Sequence, residues 1–214
     1  MHPDKRPLII GITGNIGSGK SSFSLFISQE NYTVISADQV AKDQYQKPEV
    51  RRLLHDRWGD QILTRGIPDP AKIAAIVFKQ PTELKFLNSV IHPGVLAEFS
   101  RICSESKESV LFFEVPLLFE AGLSRAFDFI ILITTPDYTR ELRLALRDGS
   151  DPGTVRERLS NQQNDDQKKD LVDLVIHNDG SLNTLRKRCL RFLKEVPDLP
   201  KKKTVSFTSL NKPD

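Results

Sequence analysis

The chain has 214 residues, 38% hydrophobic and 28% charged, which suits one sizeable core with an inserted subdomain and is too short for several large domains. Two cysteines, Cys103 and Cys189, exclude a disulfide scaffold and point to a reduced, cytoplasmic protein; no apolar run approaches a membrane span, and the N-terminus lacks the apolar stretch of a secretion signal. The net charge of +3 is uneven: from Leu182 onward nine Lys/Arg face three Asp/Glu, a local +6 that leaves −3 for the rest, so the basic excess reads as a solvated, disordered tail over 197–214 and not as a nucleic-acid or membrane surface.

Short apolar runs alternate with helical patterns along the chain. Runs at 8–13, 32–36, 110–115, 129–134 and 173–177 read as strands, most of them apolar on both faces, as strands of a covered parallel sheet are. Phe23, Phe26 and Ile27 fall at helical spacing after the first run. Val50, Leu53 and Leu54 repeat that spacing, as do Ile73, Ile76 and Val77. Leu182, Leu185, Cys189 and Phe192 form a last helical stripe. Strands alternating with helices predict an α/β fold with right-handed crossovers. The second and third strands stand more than 70 residues apart, so 40–108 is expected to hold helices inserted beyond the sheet. Pro93 predicts a kink or a new helix start inside that insertion. A second helical stretch, 137–170, is dense in charge and poor in large apolar residues, as a mobile, solvent-washed element would be.

The sharpest motif follows the first strand. Gly14-Asn15-Ile16-Gly17-Ser18-Gly19-Lys20-Ser21 fits G-x-x-x-x-G-K-[ST] and opens an amphipathic helix. Its glycines permit turns closed to other residues, so that successive N–H groups converge on phosphate oxygens at a helix N-terminus. Lys20 is expected to reach the β- and γ-phosphates and the Ser21 hydroxyl to ligate Mg²⁺. The motif therefore predicts binding of a nucleoside triphosphate with Mg²⁺, and leaves open what is done with it.

Two function classes compete, a small-molecule kinase and a GTP-gated switch. Asp56-Arg57-Trp58-Gly59 and Asn211-Lys212-Pro213-Asp214 have the letters of switch motifs but the wrong context: one ends a helical pattern, the other ends the chain. Four features favour the kinase. Asp38 follows the second strand, where a carboxylate can accept a proton from an attacking hydroxyl or simply cap the next helix. Glu114 ends the third strand, where it can serve Mg²⁺ through water or face solvent at an edge. Arg140, Arg143 and Arg147, with Arg158 beyond, can close over a transferring phosphoryl group or form a solvated face. The turn from Ile176 to Ser181 can offer amides to an adenine or merely cap the last helix with Ser181.

Together these residues resemble the dephospho-coenzyme A kinase family over about 8–193. The most specific piece is Val115-Pro116-Leu117-Leu118-Phe119-Glu120-Ala121-Gly122, similar to the family's V-P-L-L-F-E-x-G. The phosphate loop from Gly11, Ile91-His92-Pro93, Arg143-x-x-x-Arg147-Asp148-Gly149, Arg158-x-x-x-Gln162 and Asn178-x-Gly180-Ser181 occur in the family's order. There are departures. The usual D-A-D is Ser36-Ala37-Asp38, the usual Asp-Arg is Asp69-Pro70, and Glu114 stands where Asp is usual.

The resemblance implies a P-loop kinase: a five-stranded parallel sheet in the order 2-3-1-4-5 with helices on both faces, forming one domain over 7–196. It implies a coenzyme A-binding insertion at 40–108 and a lid at 137–170. It implies ATP-dependent phosphorylation of the ribose 3′-hydroxyl of dephospho-coenzyme A by a monomer or weak homo-oligomer. Asp38, Lys20 and Arg143 would be catalytic. Gly14, Asn15, Ile16, Gly17, Ser18, Gly19, Lys20, Ser21 and Ser22 would bind ATP with Arg147, Asn178 and Gly180. Asp38, His92, Pro116, Leu117 and Glu120 would shape the acceptor site, and Ser21 and Glu114 would hold Mg²⁺.

Overall fold

The structure, a computed structural model, describes residues 6–148, 165–202, 205 and 207. It divides into two compact units, Met1–Ile35 with Ser106–Ser206, and Ser36–Glu105 with Phe207–Asp214.

The first unit is built on β1 (Leu8–Thr13), β2 (Thr33–Ser36, whose last residue opens the second unit), β5 (Val110–Glu114), β6 (Phe129–Thr134) and β7 (Leu174–His177). They form one sheet in the order β2-β5-β1-β6-β7. Counted among themselves, these five strands stand in the expected order 2-3-1-4-5. β1 pairs in parallel with β5, Leu8 opposite Val110, and with β6, Ile10 opposite Phe129; β6 pairs in parallel with β7, Ile131 opposite Leu174. The central strands β1, β5 and β6 are almost wholly buried, as their two-faced apolar runs require, while the edge strands β2 and β7 keep only one buried residue each.

The period of two along β1 separates the faces. Leu8, Ile10 and Ile12 join Phe23 and Ile27 of α1 (Lys20–Gln29) in one core. Leu185, Cys189 and Phe192 of the last helix, Leu182–Glu195, complete it. Each such fully buried large side chain contributes about 1.5–3 kcal/mol. Leu182, expected in that stripe, is 62% exposed because it opens the helix, whose N-cap is Ser181. On the other face Gly11 makes room: a Cβ there would lie 2.9 Å from Leu118 and 3.1 Å from Phe127.

The tail also departs from expectation, because 197–202 is built into the first unit. Lys202 N donates to Asp128, and Lys201 Nζ donates to the Arg6 carbonyl. Residues 203–204, 206 and 208–214 of the expected tail lie outside the described residues, as does 149–164 of the expected lid.

The second unit holds α2 (Ala37–Gln44), α3 (Pro48–Trp58), α4 (Pro70–Val77) and α5 (Pro81–Glu105). Val50, Leu54, Ile73, Val77, Leu96 and Phe99 are buried, whereas Leu53, expected with them, is 43% exposed. Asp56, Arg57 and Trp58 close α3 and Gly59 is its C-cap, a helix end and not a nucleotide switch. A two-stranded hairpin unforeseen in the sequence, β3 (Leu63–Thr64) and β4 (Ile67–Pro68), turns through Arg65 and Gly66. Both turn residues have positive φ, +54° and +76°, as a two-residue hairpin turn demands. At Pro93 no new helix begins: α5 continues through it over its 25 residues. The bond lost is the one from residue 93 to Ser89 O, and both His92 and Pro93 are exposed, so water can serve the carbonyls there.

Candidate active site

β1 ends at Thr13 and the chain turns at once into the phosphate loop. Gly14 has φ +144°, and a Cβ on it would lie 2.3 Å from the Ile133 carbonyl oxygen of β6. Gly19 has φ +95°, and a Cβ there would lie 2.2 Å from Asn178 Nδ2. Only glycine satisfies both positions, which lets the loop press closely against β6 and the Asn178 side chain. Lys20 opens α1 but folds back into the loop: it is 8% exposed, and Nζ donates to the carbonyls of Gly14 (2.8 Å) and Asn15 (3.1 Å). Beside it, Ser21 Oγ donates to Glu114 Oε1 at 2.9 Å, at the end of β5. The structure thus brings together the two residues assigned to Mg²⁺. Among the described residues no group of three or more His, Cys, Asp or Glu could hold a metal alone. A hydroxyl and one carboxylate fit Mg²⁺, which takes few protein oxygens and fills its shell with water and phosphate.

The turn after β7 locks the far side of the loop. Asn178, 3% exposed, donates from N to Thr134 O (2.7 Å) and from Nδ2 to Ser18 O (2.8 Å). Thr135 Oγ1 lies 3.0 Å from both Ser18 O and Asn178 O, so its one proton is shared between them. Arg143 rests on this brace, with Nη1 3.4 Å from Thr135 Oγ1 and Nη2 3.4 Å from Asn178 O. The Asn178 side chain therefore faces the loop, while Gly180 is exposed two residues on. Thr135 went unnoticed in the sequence; its only signal is a polar residue directly after an apolar strand.

Arg143 lies on α6 (Asp137–Asp148). One turn earlier, Arg140 is 6% exposed and packs on the loop: a Cβ on Gly17 would lie 3.5 Å from its Cα. Arg140 Nη2 donates to Asp137, whereas Nε and Nη1 are buried without a hydrogen-bond partner among the described residues. Ser18 Oγ and Asn178 Oδ1 are in the same condition. Buried polar atoms are rarely left so, and their gathering at one loop marks it as a place where a polar ligand completes the bonding. The Arg147 side chain and Arg158 lie outside the described residues.

The run from Val115 to Gly122 also acquires a shape. Ala121 N donates to Leu117 O, and Gly122 N to Phe119 O, making a compact turn that leaves Leu117 54% exposed and Leu118 fully buried. Thr13 Oγ1 donates to Pro116 O at 3.3 Å, tying the turn to the end of β1. Glu120 reaches Lys168 Nζ at 2.8 Å; Lys168, on the short α7 (Asp165–Lys169), is 1% exposed and also donates to Asn15 Oδ1 of the loop at 3.1 Å.

Two assigned residues lie in the second unit. Ser36, not Asp38, is the N-cap of α2: its Oγ accepts from Gln39 N at 3.3 Å. Asp38 sits exposed in the first turn with no capping role. His92 is exposed on α5.

The model of the dephospho-CoA kinase family matches residues 8–184. The chain belongs to the dephospho-CoA kinase family. A dephospho-CoA kinase of Fusobacterium nucleatum is 32% identical over 191 residues, 88% of this chain and 98% of its own. One from Chlorobaculum tepidum is 35% identical over 84% of this chain and 90% of its own. Among solved structures, a Thermus thermophilus protein matches with TM-score 0.80 at 31% identity, covering 90% of this chain and 99% of its own. The Campylobacter jejuni dephospho-CoA kinase matches with TM-score 0.66 at 26% identity, covering 89% and 97%. A shikimate kinase from Acinetobacter baumannii, 12% identical with TM-score 0.52, shares the fold.

Two departures from the family's pattern have local explanations. Ser36 makes the same kind of cap that an aspartate would. At 69–70, Asp69 caps α4 and Pro70 takes the first helical position, where its missing N–H is of no consequence. Hydrogen bonds from Thr64 Oγ1 and then Ala71 N hold the Asp69 carboxyl below the usual range.

Proposed function

We propose that this ATP-dependent kinase of dephospho-coenzyme A transfers the γ-phosphoryl group of Mg-ATP to the ribose 3′-hydroxyl. Family membership carries the reaction, and the loop of Gly14 and Gly19 around Lys20, with Ser21 on Glu114, supports its placement on the triphosphate. Ser21 and Glu114 would hold Mg²⁺, which neutralises the charge of the β- and γ-phosphates when bound. Lys20 exchanges its loop carbonyls for phosphate oxygens. Arg143 leaves Thr135 and Asn178 O to stabilise charge on the transferring group, and Arg147 helps to hold ATP. The remaining loop residues, from Asn15 through Ser22, offer main-chain donors, and the Asn178–Gly180 turn lies along the nucleotide.

Asp38 orients the acceptor hydroxyl and takes its proton. His92, Pro116, Leu117 and Glu120 shape the acceptor site. The two thiols, half-buried Cys103 and buried Cys189, accord with a cytoplasmic enzyme; burial, then the charge of Glu30, pushes the Cys189 thiol up to about 12.

The test is turnover of Mg-ATP with dephospho-coenzyme A, adenosine, AMP and dTMP as acceptors, with the product phosphate located by NMR. Preferred turnover of AMP or dTMP would transfer the assignment to nucleotide phosphorylation, and a phosphate on any other hydroxyl would remove the 3′ assignment.

A further inference from the structure

Lys168 is 1% exposed, yet no part of the reaction described above employs it. A buried ammonium is costly unless it is paired and hydrogen-bonded. Two partners account for its position: Glu120 Oε1 at 2.8 Å and Asn15 Oδ1 at 3.1 Å. Those partners lie 48 and 153 residues away along the chain, in the two most distinctive motifs of the sequence.

Asn15 is the junction. Its side chain accepts from Lys168, while its carbonyl accepts from Lys20 Nζ at 3.1 Å and from Ser18 N at 3.1 Å. Glu120 is held in turn by the 115–122 turn, which is anchored by buried Val115 and Leu118. A chain of contacts therefore runs from the acceptor-side carboxylate to the phosphate-loop lysine.

We propose that Lys168 is a positioning residue whose buried ammonium fixes both Asn15 of the phosphate loop and the solvent-facing Glu120 carboxylate, so that the triphosphate and acceptor sides are set together. This rests on the reading of the 14–21 loop as the triphosphate site and of Glu120 as an acceptor-side residue. It also gives a physical role to Glu120, the charged residue of the V-P-L-L-F-E run. The run's apolar residues seat the turn, and its acid meets the lysine.

The test is a kinetic double-mutant cycle on the full chain with Lys168→Met, Glu120→Gln and the pair, read with equilibrium binding of a non-hydrolysable ATP analogue. Lys168→Met keeps the stem and removes the charge. It is expected to lower kcat/KM about 10–10²-fold for ATP and for dephospho-coenzyme A alike, the scale of a small misplacement of reacting groups. Analogue affinity should fall as well. The double variant should lose no more than the worse single one, because both changes break one contact. Multiplicative losses, or a loss confined to the acceptor with analogue binding unchanged, would overturn the proposal. Should Lys168→Met fail to fold, Glu120→Gln alone decides: weakened analogue binding from this acceptor-side change supports the link, and unchanged binding refutes it. Analogue binding is readable even if dephospho-coenzyme A were not the acceptor, so failure of that assignment would be distinguishable from failure of this one.

Discussion

The two ends of the central sheet both carry buried polar groups, but their bonding differs. At the end where the strands begin, Asp128 is 2% exposed and takes four donors: Arg6 Nη1 (2.6 Å) and Nη2 (2.8 Å), Ile9 N (2.9 Å) and Lys202 N (2.7 Å). No buried side-chain polar atom of that cluster lacks a partner among the described residues. At the end where the strands finish, Ser18 Oγ, Asn178 Oδ1 and two nitrogens of Arg140 are buried without one. A satisfied cluster does its work in the folded chain alone, clamping the segments at Arg6 and Lys202 to the sheet. An unsatisfied one keeps bonding capacity for something that arrives later. Substitutions at the first should therefore lower stability and spare the rate, and those at the second should do the reverse.

The largest effect is expected for Asp38→Asn, which keeps the size of a carboxylate without its basicity. Turnover should fall about 10²–10⁴-fold with little change in ATP binding. Because Ser36 already caps α2, thermal stability should hardly move. A variant retaining more than about a tenth of the wild-type rate falls outside that range and shifts the base role to Glu114. Lys20→Ala comes next, with a loss of about 10²–10³ in kcat from one missing charge-assisted contact in the transition state. Its melting temperature should stay close to wild type; a collapse would place Lys20 with Asp128 among the structural groups and break the contrast.

Asp128→Asn tests the other end. Losing one partner of a largely buried pair costs about 3 kcal/mol, and the exposed part of Arg6 argues against a larger figure. For a chain of this length that is about 6–12 °C in melting temperature, with kcat per folded molecule unchanged. The acid limb of stability supplies a second readout. Burial works against the Asp128 charge, but Arg6 and the amides of Ile9 and Lys202 outweigh it, so the folded carboxyl titrates below its usual value. Its stabilisation is thus complete above the unfolded pKa of about 3.9 and is lost as pH falls through the folded one. Chemical denaturation from pH 6 down to pH 2 should show a steeper loss for wild type than for Asp128→Asn. Parallel curves would mean that Asp128 is not linked to folding in this way.

What the sequence made legible was whatever local pattern determines. The two-faced apolar strands, the glycine-paced loop and the Ser181 cap each depend on residues a few positions apart. Pairings across the fold were not legible, because charge-dense stretches look alike whether solvated or buried. Lys168 stands in one such stretch, and nothing local distinguishes it from its neighbour Lys169. Arg6 and Asp128 are 122 residues apart, so their clamp, and with it the order of 197–202, depends on sheet topology. The passage of α5 through Pro93 and the exposure of Leu53 are likewise decided by tertiary packing, which overrides propensity and spacing.

The smallest effect tests the same contrast between two residues that are nearly adjacent. Ser36 and Asp38 occupy the positions of the family's two acids, yet among the described residues only Ser36 is engaged, through its bond from Gln39 N. Ser36→Ala should therefore lower stability by about 1 kcal/mol, the usual worth of an N-cap, and leave the rate within about twofold of wild type. Ser36→Asp should restore the stability, since aspartate caps as well as serine. If Ser36→Asp also raised the rate severalfold, the first acid of the family's pattern would have a chemical role that this chain does without, and Asp38 would be the weaker half of a pair. If only stability responds, Ser36 serves the α2 terminus alone and the proton transfer falls to Asp38. Paired measurements of melting temperature and initial rate on the same preparations separate these outcomes, because each residue is expected to move only one of the two.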